Sequence, residues 1–294
     1  MSVHVPVLAN EVLELLAPPA AGTVVDGTLG GGGHTRLLAE HVGSSGRVIA
    51  VDRDPAAVTE AEQTLRGLPV AVANASYHEL PEVLDEIGVA TVDGVLLDLG
   101  YSSDQLEGDD RGFSFHSTGP LDLRFDPTSG EPAWRLVERL SENHLARILH
   151  EFGEERFGRR IARRIVARRR EHPIRTAQDL AEIVRHATPR ERDQRIDPAT
   201  KTFQALRIAV NDELDILDRA LDRLPDRLRL GGRLAVISFH SLEDRRVKTA
   251  FRRDGRLLPI TPRPVPPSES EVFNNPRSRS AKLRVAERVE VEPV

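Results

Sequence analysis

The chain has 294 residues, of which 39% are hydrophobic and 30% are charged, so it can bury an ordinary core in one large domain or two smaller ones. Its formal net charge of −5 excludes a globally basic nucleic-acid binder. It contains no cysteine, which excludes disulfides, thiolate metal sites and mechanisms that need a cysteine nucleophile.

The first hundred residues alternate short apolar runs with amphipathic stretches. Asp54 is expected to cap a helix, because Pro55 follows it at a favoured first helical position. Strands that alternate with helices at this spacing predict a parallel, doubly wound sheet. We predict strands at 23–26, 47–51, 70–72 and 92–98, and helices at 34–40, 55–65 and 80–87.

The alternation of strands and helices breaks after Gly100, and helical stretches without a strand between them follow a loop. Residues 135–195 carry 16 Arg and 10 Asp or Glu, so this segment is basic although the whole chain is acidic. Arginine-rich codon usage and a surface for phosphates explain this composition equally well. We predict, in order, a loop over 102–132, an arginine-rich helix over 155–171, a helix capped by Thr176 and Asp179, and one long helix from Asp197 through Leu221.

The α/β pattern then returns. Gly231 and Gly232 are expected to end a helix before a fifth strand at 233–239. Ser241 is expected to cap the helix after that strand, with Asp244 completing a capping box.

A final strand is predicted at 283–291. The predicted organisation is one α/β domain, formed by residues 1–106 and 198–294, with a small helical insert of residues 107–197 for substrate recognition.

The strongest local signal is the stretch 30–33, four glycines directly after the first strand. Such a turn lets the backbone approach a ligand at the carboxyl edge of an open sheet. It does not match the G-x-G-x-x-G pattern of dinucleotide sites in any register, and Asp26 before it suits a ligand with a cationic part better than a pyrophosphate. S-adenosylmethionine, with its ammonium and sulfonium, fits this description; a tight turn without a ligand is the alternative.

Two further positions indicate an adenosine-containing cofactor. Asp52 ends the second strand, where a carboxylate can accept hydrogen bonds from both ribose hydroxyls. This does not separate NAD from S-adenosylmethionine. Tyr77 follows the third strand and is placed to lie against an adenine ring, although the spacing fits a core or surface tyrosine almost as well.

Asp98, Leu99 and Gly100 follow the fourth strand. In amino-group methyltransferases a polar residue and a tight turn stand here and accept hydrogen bonds from an exocyclic NH2, which turns the nitrogen lone pair toward the methyl group. A capped strand end is the alternative. Gln105 lies just beyond and could contact the cofactor or the base, and His240 after the fifth strand is a candidate pocket wall. We expect no metal site there, because no second histidine has ligand spacing.

Together these segments resemble the ribosomal small subunit methyltransferase H (MraW-type) family. The similar stretches follow the family order over nearly the whole chain. They are residues 4–8, 26–34, 52–55, 98–100, 111–115, 120–122, 153–156, 203–208, 238–245 and 275–284.

The resemblance implies a class I, Rossmann-like methyltransferase that uses S-adenosylmethionine. It implies methylation of the exocyclic N4 of one cytidine in the decoding region of 16S rRNA, within the small ribosomal subunit. The absence of cysteine agrees with this, because C5 methylation of cytosine needs a cysteine adduct and N4 methylation does not. By motif position, Asp98 would orient the amine, and the cofactor residues would be Gly32, Gly33, His34, Asp52, Tyr77, Asp98 and Gln105.

The RNA partner requires an accessible or flipped base and contacts with its phosphates. The candidates for these contacts are Tyr101, His240, Arg163, Arg164, Arg277 and Arg279. We expect a cytoplasmic enzyme without a membrane segment, and the sequence leaves open whether it forms a homodimer.

The chain departs from the family pattern at five positions. Tyr77 stands where phenylalanine is usual, Tyr101 replaces a small aliphatic residue, and Asp104 replaces a proline. Leu123 and Phe125 replace methionines. These departures concern the details of the substrate pocket and leave the reaction unchanged.

Two other function classes share some of these features. An NAD-dependent oxidoreductase would share the sheet, the glycine-rich turn and Asp52, but the dinucleotide pattern and a hydride-handling His/Lys constellation are missing. A non-catalytic RNA-binding or assembly factor could retain the same cofactor pocket.

Overall fold

The computed structural model describes residues 6–102, 105, 111–115, 117–189 and 197–291. The motif residues His4 and Val5 and the departure at Asp104 lie outside these ranges. The chain divides into two compact units, Met1–Tyr101 with Leu214–Val294, and Ser102–Glu213. The second unit thus extends past the predicted boundary at residue 198, because the helix at residues 200–211 contributes Phe203 and Leu206 to its core.

The strands are β1 (Thr23–Asp26), β2 (Arg47–Asp52), β3 (Val70–Asn74), β4 (Val92–Asp98), β5 (Leu228–Ser238), β6 (Leu257–Pro259) and β7 (Lys282–Arg288). The helices are α1 (Ala9–Leu16), α2 (Gly33–Val42), α3 (Pro55–Thr64), α4 (Leu80–Glu86), α5 (Ala133–Arg139), α6 (Glu142–Glu151), α7 (Gly158–Glu171), α8 (Ala177–Ala187), α9 (Thr200–Asn211), α10 (Glu213–Arg223), α11 (Ser241–Arg253) and α12 (Glu269–Asn274). Short 3₁₀ turns occur at Tyr77–Glu79, Leu224–Arg227 and Pro276–Ser280.

The first unit is built on a seven-stranded sheet in the order β3-β2-β1-β4-β5-β7-β6. The first five strands of this order are parallel, and β7 runs antiparallel between β5 and β6. This confirms the predicted α/β, Rossmann-like class. The strand order changes direction between β1 and β4, and such a switch point opens a crevice at the carboxyl ends of the strands.

Strand β4 is buried on both faces, as its apolar sequence predicts. Val95 and Leu97 pack in one core cluster with Leu217 of α10, while Leu96 packs on the opposite face with Leu38 of α2. Side chains alternate along a strand, so Asp98 falls on the same face as Leu96, the face that α2 covers.

Three local predictions are wrong. The long helix predicted from Asp197 through Leu221 is broken at Asp212, whose φ of 52° places it in the left-handed region that aspartate tolerates better than most residues. Gly231 and Gly232 lie inside β5, where its pairing with β4 shifts register, and end no helix.

The third error concerns the cap of α11. His240 caps this helix instead of Ser241, and Glu243 completes the capping box instead of Asp244. The extended backbone of β5 ends one residue earlier than predicted, and this shift moves the cap by one position.

The second unit packs its helices around an apolar core. The apolar stripe of α7 points into this core while Arg163 and Arg164 are exposed, as the helical spacing predicts. The predicted capping box of Thr176 and Asp179 is confirmed at the start of α8.

Within the described residues, no helix combines the length and the apolar character needed to cross a membrane.

Candidate active site

Asp26 fixes the turn that follows β1. Its buried carboxylate accepts hydrogen bonds from the Thr28 N–H at 3.0 Å and the Thr35 hydroxyl at 2.7 Å. Burial raises the pKa of Asp26, and the bonds from Thr35 and Thr28 oppose this rise. The carboxylate therefore ties the end of β1 to the first turn of α2. Asp26 thus shapes the turn, and its suitability for a ligand with a cationic part stays a prediction.

The glycine-rich turn presents main-chain atoms, because its glycines carry no side chains. Gly32 has a φ of 77° and precedes the first residue of α2, and it offers no side chain to cap the helix. Gly27 has no room for a side chain, because a Cβ there would collide with the Leu97 side chain and lie 3.0 Å from the Cβ of Tyr77. A glycine-rich turn lets a ligand approach the main chain closely, and we refer to residues 27–33 as the cradle.

Asp52 connects the end of β2 to this cradle. One carboxylate oxygen accepts the Gly30 N–H and the other accepts the Asp54 N–H, both at 2.8 Å. A carboxylate has about four acceptor positions, so two remain for a ligand's hydroxyl groups. Burial raises the pKa of Asp52 to about 6, against the effect of these two bonds.

Asp98 is the last residue of β4, and its two carboxyl oxygens differ in their contacts. Its Oδ2 lies 3.6 Å from Nε2 of His34, while its Oδ1 is buried and has no hydrogen-bond partner among the described residues. Burial raises the pKa of Asp98 well above its ordinary value, and the negative charges of Asp26 and Glu243 add to this effect. A buried acceptor without a donor is rare in proteins and indicates a missing ligand group.

The turn after Asp98 has the predicted geometry. Gly100 adopts a φ of 104°, which side-chain-bearing residues rarely adopt, and the Leu99 N–H donates to the Ile237 carbonyl at 3.0 Å. This bond holds the turn against the end of β5 and fixes the position of the Asp98 carboxyl group.

The end of β5 adds a second set of polar groups. Glu243 is buried, and its carboxylate accepts the N–H groups of Phe239 at 2.8 Å and His240 at 3.3 Å. His240 Nδ1 accepts the Glu243 N–H at 3.3 Å, and its Nε2 lies 3.1 Å from the Glu243 carboxylate. His240 is therefore held by the cap of α11, and its contact with RNA stays a prediction.

Two further predicted residues, Tyr101 and Gln105, follow the turn after Asp98 in the chain. Tyr101 is 42% exposed at the end of the first unit. Gln105 belongs to the second unit, where its Oε1 accepts the Ser102 N–H and its own N–H donates to the Ser102 hydroxyl. Its cofactor contact stays a prediction.

The four arginines proposed for RNA contact also stay predictions. Arg163 and Arg164 are exposed on α7, and Arg163 lies 3.5 Å from Glu142 in a solvent-exposed pair. Arg277 is half-buried and Arg279 is exposed on the 3₁₀ turn before β7.

Six of the seven predicted cofactor residues thus lie at the carboxyl edge of the sheet. They are Gly32, Gly33, His34, Asp52, Tyr77 and Asp98. The sequence reasoning missed the supporting roles of Thr28, Thr35 and Glu243. A hydroxyl two residues after a strand-ending aspartate is a signal for Thr28, because short side chains at that spacing close turns.

Comparison with known proteins identifies a family and similar chains. The model of the MraW methylase family matches residues 1–289. A protein of Rhodopirellula baltica named ribosomal RNA small subunit methyltransferase H is 51% identical, over 98% of this chain and 92% of its own. A protein of the same name from Deinococcus radiodurans is 52% identical, over 97% of this chain and 89% of its own. The crystal structure of an rRNA methylase from Streptococcus thermophilus aligns with 96% of this chain and 94% of its own at 13% identity and a TM-score of 0.45.

Proposed function

Because this chain belongs to the MraW methylase family and is a methyltransferase that uses S-adenosylmethionine, we propose that it methylates the exocyclic N4 of one cytidine in the decoding region of 16S rRNA. The names of its relatives, at 51% and 52% identity, support ribosomal RNA of the small subunit as the substrate. The absence of cysteine supports nitrogen over carbon as the methylated atom, because C5 methylation needs a cysteine adduct.

The observation that carries this proposal is the buried Oδ1 of Asp98, which has no hydrogen-bond partner among the described residues. The N4 lone pair of cytosine is delocalised into the ring and is a poor nucleophile. If Asp98 accepts one amine hydrogen, the nitrogen is held with its lone pair directed at the methyl group. Orientation and preorganised dipoles of this kind can supply most of the rate increase without a strong base.

The residues of the cradle fit the cofactor. The bound cofactor supplies a methyl group on a positively charged sulfur. The glycine-rich turn gives it close access to the main chain, and Asp52 keeps acceptor positions for two ribose hydroxyls. Tyr77 lies beside Gly27, where its ring can contact the adenine. His34 stands between the cradle and Asp98.

Asp98 also provides a route for the proton. The N4 proton becomes acidic only as the new C–N bond forms, so its acceptor need not be a strong base. The raised pKa of Asp98 makes this carboxylate a better proton acceptor than an ordinary aspartate. Asp98 therefore both orients the amine and can accept its proton at Oδ1.

In this proposal, arginine side chains make the contacts with the RNA phosphates. The exposed arginines of α7, including Arg163 and Arg164, form a basic helix surface in the second unit. Arg277 and Arg279 add basic groups before β7. Such groups bind phosphates and position an RNA without reading its sequence.

The test is methyl transfer from tritiated S-adenosylmethionine to small ribosomal subunits that lack the modification, followed by digestion to nucleosides. We expect the label in N4-methylcytidine. Label in 5-methylcytidine, or no label with folded protein that binds S-adenosylhomocysteine, would overturn the proposal.

A further inference from the structure

Phe273 is 86% exposed, more than any other large apolar side chain described. It lies on the short helix α12, between Glu271, whose carboxylate bonds to Leu8, and the buried Ser278. An aromatic side chain held in solvent on a fixed segment indicates a binding contact more strongly than an aliphatic one does, because aromatic rings offer a flat face for stacking.

The segment that carries this helix, residues 266–282, begins and ends at the carboxyl edge of the sheet. Val265 and Leu283 exchange backbone hydrogen bonds at 2.9 and 3.0 Å, so the chain between them leaves and re-enters the sheet at one place. At that place Lys282 pairs with Ser238, the last residue of β5. Asp98 ends the neighbouring strand β4 opposite Ile237. The segment 266–282, which contains Phe273, therefore leaves the sheet at the edge where Asp98 lies.

Polar contacts hold the segment 266–282 on both sides of Phe273. The carboxylate of Glu271 accepts the Leu8 N–H at 2.7 Å, and the Ser268 hydroxyl accepts the Glu271 N–H at 3.1 Å. On the other side, Ser278 is fully buried and its hydroxyl donates to the Asn275 carbonyl at 2.8 Å. A ring presented by a fixed segment loses little conformational entropy on binding.

Basic side chains follow the ring directly. Arg277 and Arg279 lie on the 3₁₀ turn after α12, and Arg279 has no ion-pair partner within the described part of the chain. An exposed aromatic ring beside arginines is the combination that binds single-stranded nucleic acid, with the base on the ring and the phosphates at the guanidinium groups.

We propose that Phe273 stacks against an unpaired base that flanks the target nucleotide, while Arg277 and Arg279 contact the adjoining phosphates. The inference rests on the proposed function, because it names how the same RNA is held at the same edge. Stacking is tolerant of base identity, so Phe273 positions the RNA and does not read its sequence.

The first test compares side chains at position 273 in methyl transfer to small subunits that lack the modification. We expect Phe273→Ala to raise KM for the subunits about fivefold or more, with kcat and S-adenosylhomocysteine affinity unchanged. Phe273→Tyr keeps a ring and should restore the KM, whereas Phe273→Leu should not. The matched control is Leu258→Ala, because Leu258 is 52% exposed at the opposite edge of the sheet, beside Glu287.

The second test measures binding without methylation. Phe273→Trp in a Trp134→Phe background leaves one indole in the chain, because Trp134 is its only tryptophan. Stacking should quench the indole fluorescence when modification-free subunits are added. Quenching in this variant, together with a wild type that transfers no methyl group, would support stacking at position 273 and overturn the proposed function. An unquenched indole, an unchanged KM in Phe273→Ala, or full rescue by leucine would overturn the stacking role while leaving the methylation proposal intact.

Discussion

The backbone N–H of Asp98 donates a hydrogen bond to the Thr28 hydroxyl oxygen at 2.7 Å. Thr28 in turn lies within hydrogen-bond reach of Asp26, at 3.3 Å between its hydroxyl oxygen and the carboxylate. The end of β4, where the amine is expected, is therefore tied through one threonine to the turn that is proposed to hold the cofactor. In the proposed reaction the two reactants would meet here, because β1 and β4 are neighbours in the sheet.

Substitution of the proposed amine-orienting group should separate chemistry from folding. We expect Asp98→Ala to reduce methyl transfer to small subunits by about tenfold or more, because an oriented amine is lost while the cradle remains. Folding should be retained, since burial of this carboxyl group is itself unfavourable. The measurements are kcat/KM with tritiated donor and the melting temperature, and full activity in this variant would remove Asp98 from the mechanism.

The close packing at Gly27 makes a second prediction. A methyl group there would meet Leu97 and Tyr77, so Gly27→Ala should lower the free energy of unfolding by about 1–3 kcal/mol. It should also weaken S-adenosylhomocysteine binding, because the adenine side of the cradle must shift. Gly255→Ala is the control, since nothing lies within 4 Å of a Cβ at that position. Urea unfolding measures the stability of both variants. Equal stabilities would show that the structure can accommodate a methyl group at position 27.

The raised pKa of Asp52 predicts how stability depends on pH. The folded-state pKa is about 6, above an ordinary value of 3.8, so the folded protein holds this proton more tightly than the unfolded chain. The stabilisation is therefore complete below about pH 4 and is lost as the pH rises through about 6.

Asp52→Asn carries no such proton. The free energy of unfolding of the wild type, minus that of the variant, should therefore fall between about pH 4 and about pH 7 in ligand-free protein. Urea denaturation at several pH values measures this difference. A difference that stays constant with pH would mean that Asp52 titrates as it does in the unfolded chain.

Charge reversal on α7 tests the RNA contact of the second unit. Replacing Arg163 and Arg164 with glutamate should weaken binding to small subunits by about tenfold at low salt and flatten the salt dependence, because fewer counterions are released. The ion pair of Arg163 with Glu142 is exposed, so its loss should change stability little. The matched control reverses Arg252 and Arg253, an exposed arginine pair at the end of α11. Equal effects of the two double variants would indicate a non-specific charge effect.

Much of the fold could be predicted from local pattern. The β-branched runs that form β1, β2 and β4, the glycine stretch after β1 and the Asp54 cap of α3 are each decided by neighbours in the sequence. The break at Asp212 could not be predicted in this way. The apolar spacing continues across it, although Leu206 of α9 packs in the core of the second unit and Leu217 of α10 packs in the core of the first.

The contacts within the site depended on information that the sequence pattern lacks. Periodicity shows that Asp98 ends a strand, but the meeting of Asp98 with His34 needs the order of the strands and the face that α2 covers. The role of Glu243 could not be predicted for a different reason. Ser241 has the better capping side chain, yet the end of β5 places His240 at the cap, and this selects Glu243 as its partner.

The most direct test of the account is a calorimetric titration of S-adenosylhomocysteine into folded wild-type protein and Asp52→Ala. We expect saturable binding to one site in the wild type. We expect at least about tenfold weaker binding in the variant, because two hydroxyl contacts are lost while the melting temperature shows that the fold remains. Equal affinity in the two proteins, or no heat in the wild type, would contradict a cofactor site at the carboxyl edge of this sheet.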